Sequence, residues 1–489
     1  MKILFIVPRS KTMFGEDTGE KSEVAYPHVG ISYLVAYLKL HLPVVKISIF
    51  DEGLDGDKDN KNLKNIIAVY RPDIIGITTF SYNYKYFYTL IKNIKKFTKI
   101  PIILGGPHVS AMRKKVLEET KADYAVKGEG EITLVEFLKE FQKKSPKYSK
   151  IDGLIWIRKG KIVENKDRVL IGDINILPFP SYEAFDLNRY LCSKEKILPL
   201  ITSRGCPYGC NYCSVRLSMG RGFRARSPDN VLAEIEHWYN QGFNRFEIND
   251  DCFTLDIKRA EQICDLIIKK KLKITYNLFN GIRVDRVTKP LLIKMKKSGC
   301  IFISYGCETG NNETLKTIGK GINLEQVKKA VKITNEVGIK NAVNFIIGHV
   351  DETYEKALDS IYFAKSLPAS FVNFYNLIPY PGTDIFNWIK RNGKFLYPVE
   401  TYLRDISYRD AKPVFETKEF TRKERIKVLK KGFNLYEKRV IQFRLGKYLG
   451  GITYLLTRYK PISTIIINFG LYNKIGRKIL IYLSSASRK

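Results

Sequence analysis

Three observations predict an α/β protein built from two successive parallel-sheet units. Short β-branched runs alternate with amphipathic stretches about five times before residue 144, and the alternation resumes for six rounds after residue 195. A proline-punctuated segment separates the two series. Strand followed by helix, repeated, marks parallel sheets covered by helices. The expected order is an N-terminal doubly wound, Rossmann-like sheet (1–144), a linker with a hairpin (145–194), a partial (βα)6 TIM-type barrel (195–390) and a basic, partly amphipathic helical region (391–489).

The first strand is read at Ile3–Val7. "MKILFIVPRS" has about six apolar residues before Pro8, too few for the core of a secretory signal, and no run in the chain approaches the ~18 apolar residues of a membrane span. Further strands are expected at Val44–Asp51, Ile74–Thr79, Ile100–Gly105 and Tyr124–Val126, with "GISYLVAYLKLHL" and "YKYFYTLIKNIKKF" as helices. "LIWIRKGKIVE" predicts a hairpin turning near Lys159–Gly160, and "LPFPSYEAF" follows it. The second series has strands at "LPLIT", "RFEIN", "ITYNLF", "IFISYG", "NAVNFIIG" and "FVNFYNLI". Ser227-Pro228 reads as an N-cap with proline at the first helical position, ending by Gly242, and another helix runs from Asn323 to Gly338.

The net charge of +33 predicts attraction to something anionic: nucleic acid, a membrane surface or acidic metabolites. From Glu419 to the end there are 17 Lys and Arg against 3 Glu, interleaved with Phe, Tyr, Leu and Ile. Between Ile441 and Lys489, apolar runs of about ten residues are broken by Lys or Arg, a length suited to lying in a membrane interface beside anionic headgroups. A helical cap on the barrel with a solvated basic face is the plainer alternative, and base stacking on RNA a third. Eight cysteines in 489 residues, three of them clustered, fit a reduced cytoplasmic protein with one metal site.

The cluster is "SRGCPYGCNYCS", Ser203 to Ser214, with Cys206, Cys210 and Cys213 spaced C-x3-C-x2-C. Three thiolates on one loop can hold three corners of a cubane iron–sulfur cluster and leave the fourth iron open to a substrate. Gly205 and Gly209 let the backbone wrap, and Tyr212 stands between two of the thiols. A structural zinc would want a fourth ligand, and Cys192 and His237 have no fitting spacing. On a barrel, a loop after the first strand lies on the face where active sites are built.

This loop resembles that of the radical S-adenosylmethionine (SAM) superfamily. The likeness continues through "FEINDDCFTLD" (Phe246–Asp256), "SYGCETGNNETLKTIGKGIN" (Ser304–Asn323), "NFIIGHVDET" (Asn344–Thr353) and "LIPYPGTDIF" (Leu377–Phe386). The resemblance implies a 4Fe-4S cluster that cleaves SAM to a 5′-deoxyadenosyl radical, fed by an electron donor such as ferredoxin or flavodoxin. It implies SAM contacts at Tyr212, Glu247, Asn249, Glu308 and Thr309, with Gly348 as the turn that admits the adenine. The chain departs from the family pattern at Cys307, at Cys252 and at Val350-Asp351 behind His349. Cys252 and Cys307 fall at strand ends on the active-site face and are the catalytic candidates, as hydrogen donors to a substrate radical; inert buried thiols are the alternative.

In the first unit, "LGGPHVS" (Leu104–Ser110) and "KGEGE" (Lys127–Glu131) place glycines at the carboxyl ends of strands, where a flat ligand can approach the backbone. Ahead of such a barrel, this resembles the cobalamin-binding domain, with "YPHVGISYLVAYL" (Tyr26–Leu38) as its first helix. The resemblance implies a nucleotide tail beside Ser81, Gly105 and Gly106, and a corrin near His108 and Gly128, Glu129, Gly130 and Glu131. No Asp-x-His-x-x-Gly occurs, so cobalamin is expected to bind without a protein imidazole on its cobalt. A sheet that binds nothing is the alternative.

The expected activity is cobalamin-dependent C-methylation of an unactivated carbon on a small-molecule, hydrophobic or lipid-like substrate, in the cytoplasm or at the inner face of the membrane. Radical cyclisation or rearrangement without methyl transfer is the alternative within enzymes. A basic RNA- or membrane-binding protein with a structural cluster is the alternative outside them.

Overall fold

Residue parity sorts the first strand, because successive side chains of a strand point to opposite faces. Ile3 and Phe5 of β1 (Lys2–Val7) enter one hydrophobic cluster, and Leu4 and Ile6 enter another on the opposite face. In the computed structural model, which describes residues 1–9, 26–57 and 59–458 (side chains of 404 and 405 excepted), four more parallel strands join β1. These are β2 (Lys46–Asp51), β3 (Ile74–Thr78), β4 (Ile102–Gly105) and β5 (Tyr124–Val126). Their order, β2-β1-β3-β4-β5, places a topological switch point between β1 and β3.

The hairpin expected in the linker forms, as β6 (Leu154–Arg158) and β7 (Lys161–Glu164), with Lys159 and Gly160 both at positive φ in the turn. It is not a free-standing linker. β6 pairs antiparallel with β5 through Tyr124, Ala125 and Val126, so the first sheet has seven strands and runs to Glu164. Ile155 of this hairpin is fully buried and belongs to the same core as Leu104 and Ala125, which explains the attachment.

The second unit follows the expected strands closely. β8 (Ile197–Leu200) leads to a two-residue ribbon, β9 (Ser203–Arg204) with β10 (Arg224–Ala225), and then to β11 (Arg245–Ile248), β12 (Thr275–Ile282), β13 (Cys300–Glu308), β14 (Lys340–Ile347) and β15 (Phe371–Asn376). The six long strands are all parallel and lie in sequence order, an open (βα)6 barrel. The helix Pro228–Tyr239 is capped by the Ser227 side chain, and Leu324–Glu336 begins with a reciprocal capping box between Asn323 and Gln326.

The C-terminal region packs on this barrel. Helix Arg422–Leu445 lies along β15 so closely that a Cβ at Gly432 would sit 2.4 Å from Phe374, and Val428 and Leu429 are fully buried there. Helix Val399–Asp405 crosses back to the first unit, against Tyr84–Phe97. Of the tail considered for a membrane or RNA role, Tyr459–Lys489 lies outside the described residues. One hydrophobic cluster runs from Ile3 and Val35 of the first unit to Phe374 of the barrel. At about 2 kcal/mol per fully buried aliphatic side chain, this continuous core outweighs any polar contact in joining the two units.

Candidate functional site

The cysteine loop is anchored before it begins. Asp250, fully buried at the end of β11, accepts hydrogen bonds from Thr202 N (2.6 Å), Thr202 Oγ1 (2.5 Å) and Ser203 Oγ (2.6 Å). Its neighbour Asp251 accepts from Gly205 N at 2.8 Å. Gly205 has φ +84°, and a Cβ there would strike the Gly222 carbonyl at 2.2 Å, so only glycine fits. Gly209 needs no such freedom, since a Cβ there would meet nothing within 4 Å. Beyond the thiols, Asn211 N donates to Ile318 O and Ile385 N to Asn211 O, which pins the loop to two later segments of the barrel. Tyr208 lies under the guanidinium of Arg283, 3.4 Å from its ring centroid, and accepts from Arg286 Nε.

Cys206, Cys210 and Cys213 are partly exposed, whereas Cys192, Cys252, Cys264, Cys300 and Cys307 are buried, and all eight are free thiols. Among the described residues no three His, Cys, Asp or Glu converge on a single ion. Three accessible thiols spaced C-x3-C-x2-C on one loop are a donor set that can hold a polynuclear iron–sulfur cluster. The Cys252 thiol hydrogen-bonds to Cys206 and favours its thiolate, while its own proton is bound more tightly; burial pushes Cys213 up to about 11. Cys307 donates to Thr309 O at 3.1 Å. Both catalytic candidates, Cys252 and Cys307, are fully buried.

Tyr212 and Glu308 come together over the loop. Lys320, itself buried, donates from Nζ to Glu308 Oε1 (2.7 Å) and to Tyr212 OH (3.5 Å). Glu308 holds φ +74°, an unfavourable backbone for a non-glycine residue and a mark of a constrained site. Thr309 is fully buried, its hydroxyl shared with Ser360 and with Asn311 N, so it shapes the turn from beneath. Gly348 lies in the turn after β14 with φ +115°. Glu247 and Asn249 on and after β11 meet the phenol of Tyr26 instead, and burial raises the Glu247 carboxyl.

A cavity of about 310 Å³ opens at the carboxyl ends of β1, β3, β4 and β5, between the first sheet and the root of the cysteine loop. Gly105, Gly106, Gly128 and Gly130 form one wall; Ser203, Arg204, Met219, Asn249 and Asp251 form the other. A Cβ at Gly105 would meet nothing within 4 Å, so the missing side chain leaves a cradle. Glu129 and Glu131 also border the cavity, but their carboxylates are engaged. Arg204 donates to Glu129 Oε1 and Glu131 Oε1 (both 2.8 Å), and Arg224 donates to both oxygens of Glu129. Burial alone would raise Glu129; the Arg204 and Arg224 guanidiniums hold it below the usual carboxylate range. The two glutamates therefore bind the units together at the cavity rim.

Ser81 and His108 stand away from the cavity lining. Ser81 Oγ pairs with His108 Nδ1 (3.0 Å) and Tyr88 OH with Nε2 (3.3 Å), while Tyr84 and Phe87 pack on the fully buried ring. His28 does line the cavity, but its Nδ1 accepts from Ile31 N, which leaves Nε2 protonated and facing Thr78 Oγ1 at 3.3 Å. Neither imidazole offers a free lone pair to a metal in the cavity. The residues fit cobalamin held by backbone and apolar contacts, and they fit a cluster on three thiols. Sequence reading missed Asp250, Asp251 and Arg204; the doubled aspartate of "NDDC" was the one available signal.

Comparison with known proteins agrees with this arrangement. The Radical SAM superfamily model matches residues 200–364 and the B12 binding domain model residues 16–138. An uncharacterized methyltransferase of Pyrococcus horikoshii is 31% identical over 437 residues, 88% of this chain and 92% of that protein. The cytidylyl-2-hydroxyethylphosphonate methyltransferase of Streptomyces wedmorensis is 25% identical, over 82% of this chain and 84% of the relative. The anaerobic magnesium-protoporphyrin IX monomethyl ester cyclase of Rubrivivax gelatinosus is 26% identical, over 79% and 69%. Among solved structures, the radical SAM methyltransferase TsrM of Kitasatospora setae, with cobalamin and a 4Fe-4S cluster bound, has the same fold at TM-score 0.65 and 19% identity, covering 78% of this chain and 73% of its own. With both family models matched in order and a relative aligned over most of both lengths, the chain belongs to the cobalamin-binding radical S-adenosylmethionine enzyme family, whose cofactors are a 4Fe-4S cluster, SAM and cobalamin.

Proposed function

We propose that the enzyme methylates an unactivated carbon of a hydrophobic or lipid-like small molecule, with Cys206, Cys210 and Cys213 holding the cluster and the glycines of the first sheet holding cobalamin. The observation that carries this reading is the shared cavity. Its walls come from both units, the glycines of the first sheet on one side and, on the other, Ser203 and Arg204 at the root of the cysteine loop. When bound, the cluster and SAM supply hydrogen abstraction and cobalamin supplies the methyl group. The chain's own contribution is to bind, orient and exclude water. Ile77, Ile103, Leu104 and Leu134 give the cavity a mostly apolar wall, and the Arg204 and Arg224 pairs close its rim. Lys320 fixes Glu308 and Tyr212 beside the cluster loop, where SAM is held in this reading.

The lipid-like substrate and a peripheral membrane location are supported by helix Lys447–Thr457. Tyr448 is 83% exposed and Leu455 69%, Leu449 and Ile452 stand out beside them, and Lys447 and Arg458 flank the helix. No described helix is long and apolar enough to cross a membrane; the proposed mode is surface contact through this helix. A second reading, radical cyclisation without methyl transfer, is favoured by the likeness to the protoporphyrin ester cyclase.

The deciding experiment is anaerobic reconstitution with iron, sulfide and cobalamin, then addition of a low-potential reductant, flavodoxin or dithionite, and SAM. Methyl transfer requires bound cobalamin and the appearance of both 5′-deoxyadenosine and S-adenosylhomocysteine. 5′-Deoxyadenosine with cobalamin but without S-adenosylhomocysteine turns the assignment to cyclisation. An intact cluster that never cleaves SAM leaves a binding protein with a structural cluster.

A further inference from the structure

Arg425 is buried to 2% exposure in helix Arg422–Leu445, yet it forms no ion pair with a carboxylate among the described residues. Its Nε donates to Phe420 O at 3.0 Å, and the guanidinium lies between the rings of Phe415 (4.2 Å) and Phe420 (4.7 Å). Nη2 is buried without a partner. Nη1 faces Gly348, where a Cβ would come within 2.4 Å of it. Gly348 is thus required twice, by its φ of +115° and by the arginine that occupies the side-chain space.

The turn that receives Arg425 is just as poorly satisfied. Glu352 Oε2 accepts from Gly348 N (2.6 Å) and His349 N (3.1 Å), while Oε1 is buried and unpartnered. His349, 1% exposed, places Nε2 3.4 Å from Glu308 O and leaves Nδ1 without a partner. Three buried polar atoms in one turn and its arginine lack hydrogen bonds. A buried polar group left without a hydrogen bond costs stability, most of all when it belongs to a charged side chain. Groups left this way in a well-packed region call for a ligand or a functional constraint. The turn is one aromatic ring from the cysteine loop: the His349 and Tyr212 ring centroids are 5.6 Å apart. It is therefore beside any molecule held at that loop.

We infer that Arg425, reaching in from the C-terminal region, is a positioning residue of the SAM site: it sets the Gly348–Glu352 turn against which bound SAM is placed. This rests on the reading of the cysteine loop as the cluster and SAM site. The C-terminal helix is then part of the SAM-binding apparatus and not only a cover for the barrel. Residue 425 lies beyond residue 364, where the superfamily match ends.

The test uses the full-length, reconstituted enzyme with Arg425→Met, which keeps bulk and removes charge, and Arg425→Lys. SAM affinity is measured by equilibrium dialysis, and the EPR spectrum of the reduced cluster is recorded with and without SAM. Arg425→Met should keep its iron, its cobalamin and the SAM-free EPR spectrum, bind SAM about tenfold more weakly, and lose the spectral change on SAM addition. Arg425→Lys should fall between it and the wild type, because a point charge cannot replace a planar guanidinium. Wild-type affinity in Arg425→Met, or loss of iron and cobalamin in step with SAM, would overturn the inference. If Arg425→Met does not fold, Arg425→Lys decides: roughly threefold weaker SAM binding with full iron supports it, and unchanged affinity overturns it. A wild-type enzyme that takes up the cluster but ignores SAM sinks the functional reading instead, a distinct outcome.

Discussion

Single side chains at this site do two kinds of work, and substitutions separate them. Cys210 is partly exposed and donates only a long contact to Gly319 O at 3.9 Å, so little of the fold depends on it. Cys210→Ala should abolish iron uptake and the visible iron–sulfur absorbance while the far-ultraviolet circular dichroism stays unchanged; a brown, SAM-cleaving variant would refute the cluster assignment. Asp250, by contrast, ties three donors of the loop at once, and its loss would scatter the loop before any chemistry is attempted. Glu52 gives a pH signature away from the site. Burial pushes its carboxyl up to about 7, partly offset by Arg9 N and the Tyr86 phenol. Between pH 4.5 and about 7 the folded protein keeps a proton that the unfolded chain has released, so stability falls as pH rises through that window. Glu52→Gln should make that slope shallower by about 1 kcal/mol per pH unit, read from thermal or denaturant midpoints. An unchanged slope would mean that Glu52 is ionised in the native state.

The contact between the sheet and the ribbon β9–β10 is where two elements become one site. Glu129 is buried between Arg204 and Arg224, and removing one member of such a pair strands the other charges. Glu129→Gln should cost about 3 kcal/mol in unfolding free energy and loosen the cavity rim. A midpoint equal to the wild type would show the network to be dispensable. The glycine cradle predicts the opposite combination. Since a Cβ at Gly105 meets no atom, Gly105→Val should leave thermal stability unchanged while cobalamin bound per protein falls about tenfold, because the added methyls fill the ligand's space. Full cobalamin occupancy in that variant would move the site elsewhere.

At the scale of the molecule, exposed large apolar side chains occur in both units, and five of them fall on a single C-terminal helix. Tyr448, Leu449, Ile452, Leu455 and Leu456 project from one eleven-residue helix, in a region carrying much of the excess positive charge. Leu449→Glu with Leu455→Glu should weaken sedimentation with anionic lipid vesicles about tenfold and leave SAM cleavage intact. Equal binding by the variant, or none by the wild type, would remove the membrane from the account.

Strand and helix positions were legible along the chain because burial on one or both faces writes a period of 2 or 3.6 into the residues, and caps such as Ser227-Pro228 and Asn323 mark the ends. The C-x3-C-x2-C loop was equally legible, since cluster ligands on one loop must be close in sequence. Long-range pairing was not. Nothing local in "LIWIRKGKIVE" says that β6 will join β5, nothing in "KGEGE" says that Glu129 meets Arg224, and nothing near residue 425 says that its arginine enters the turn at Gly348. Local spacing can specify only what lies within one element or one loop. Partners some 30 to 100 residues apart are chosen by the packing of the folded core, as are the buried atoms left without partners, and those are the features that give this chain a cavity walled by both units.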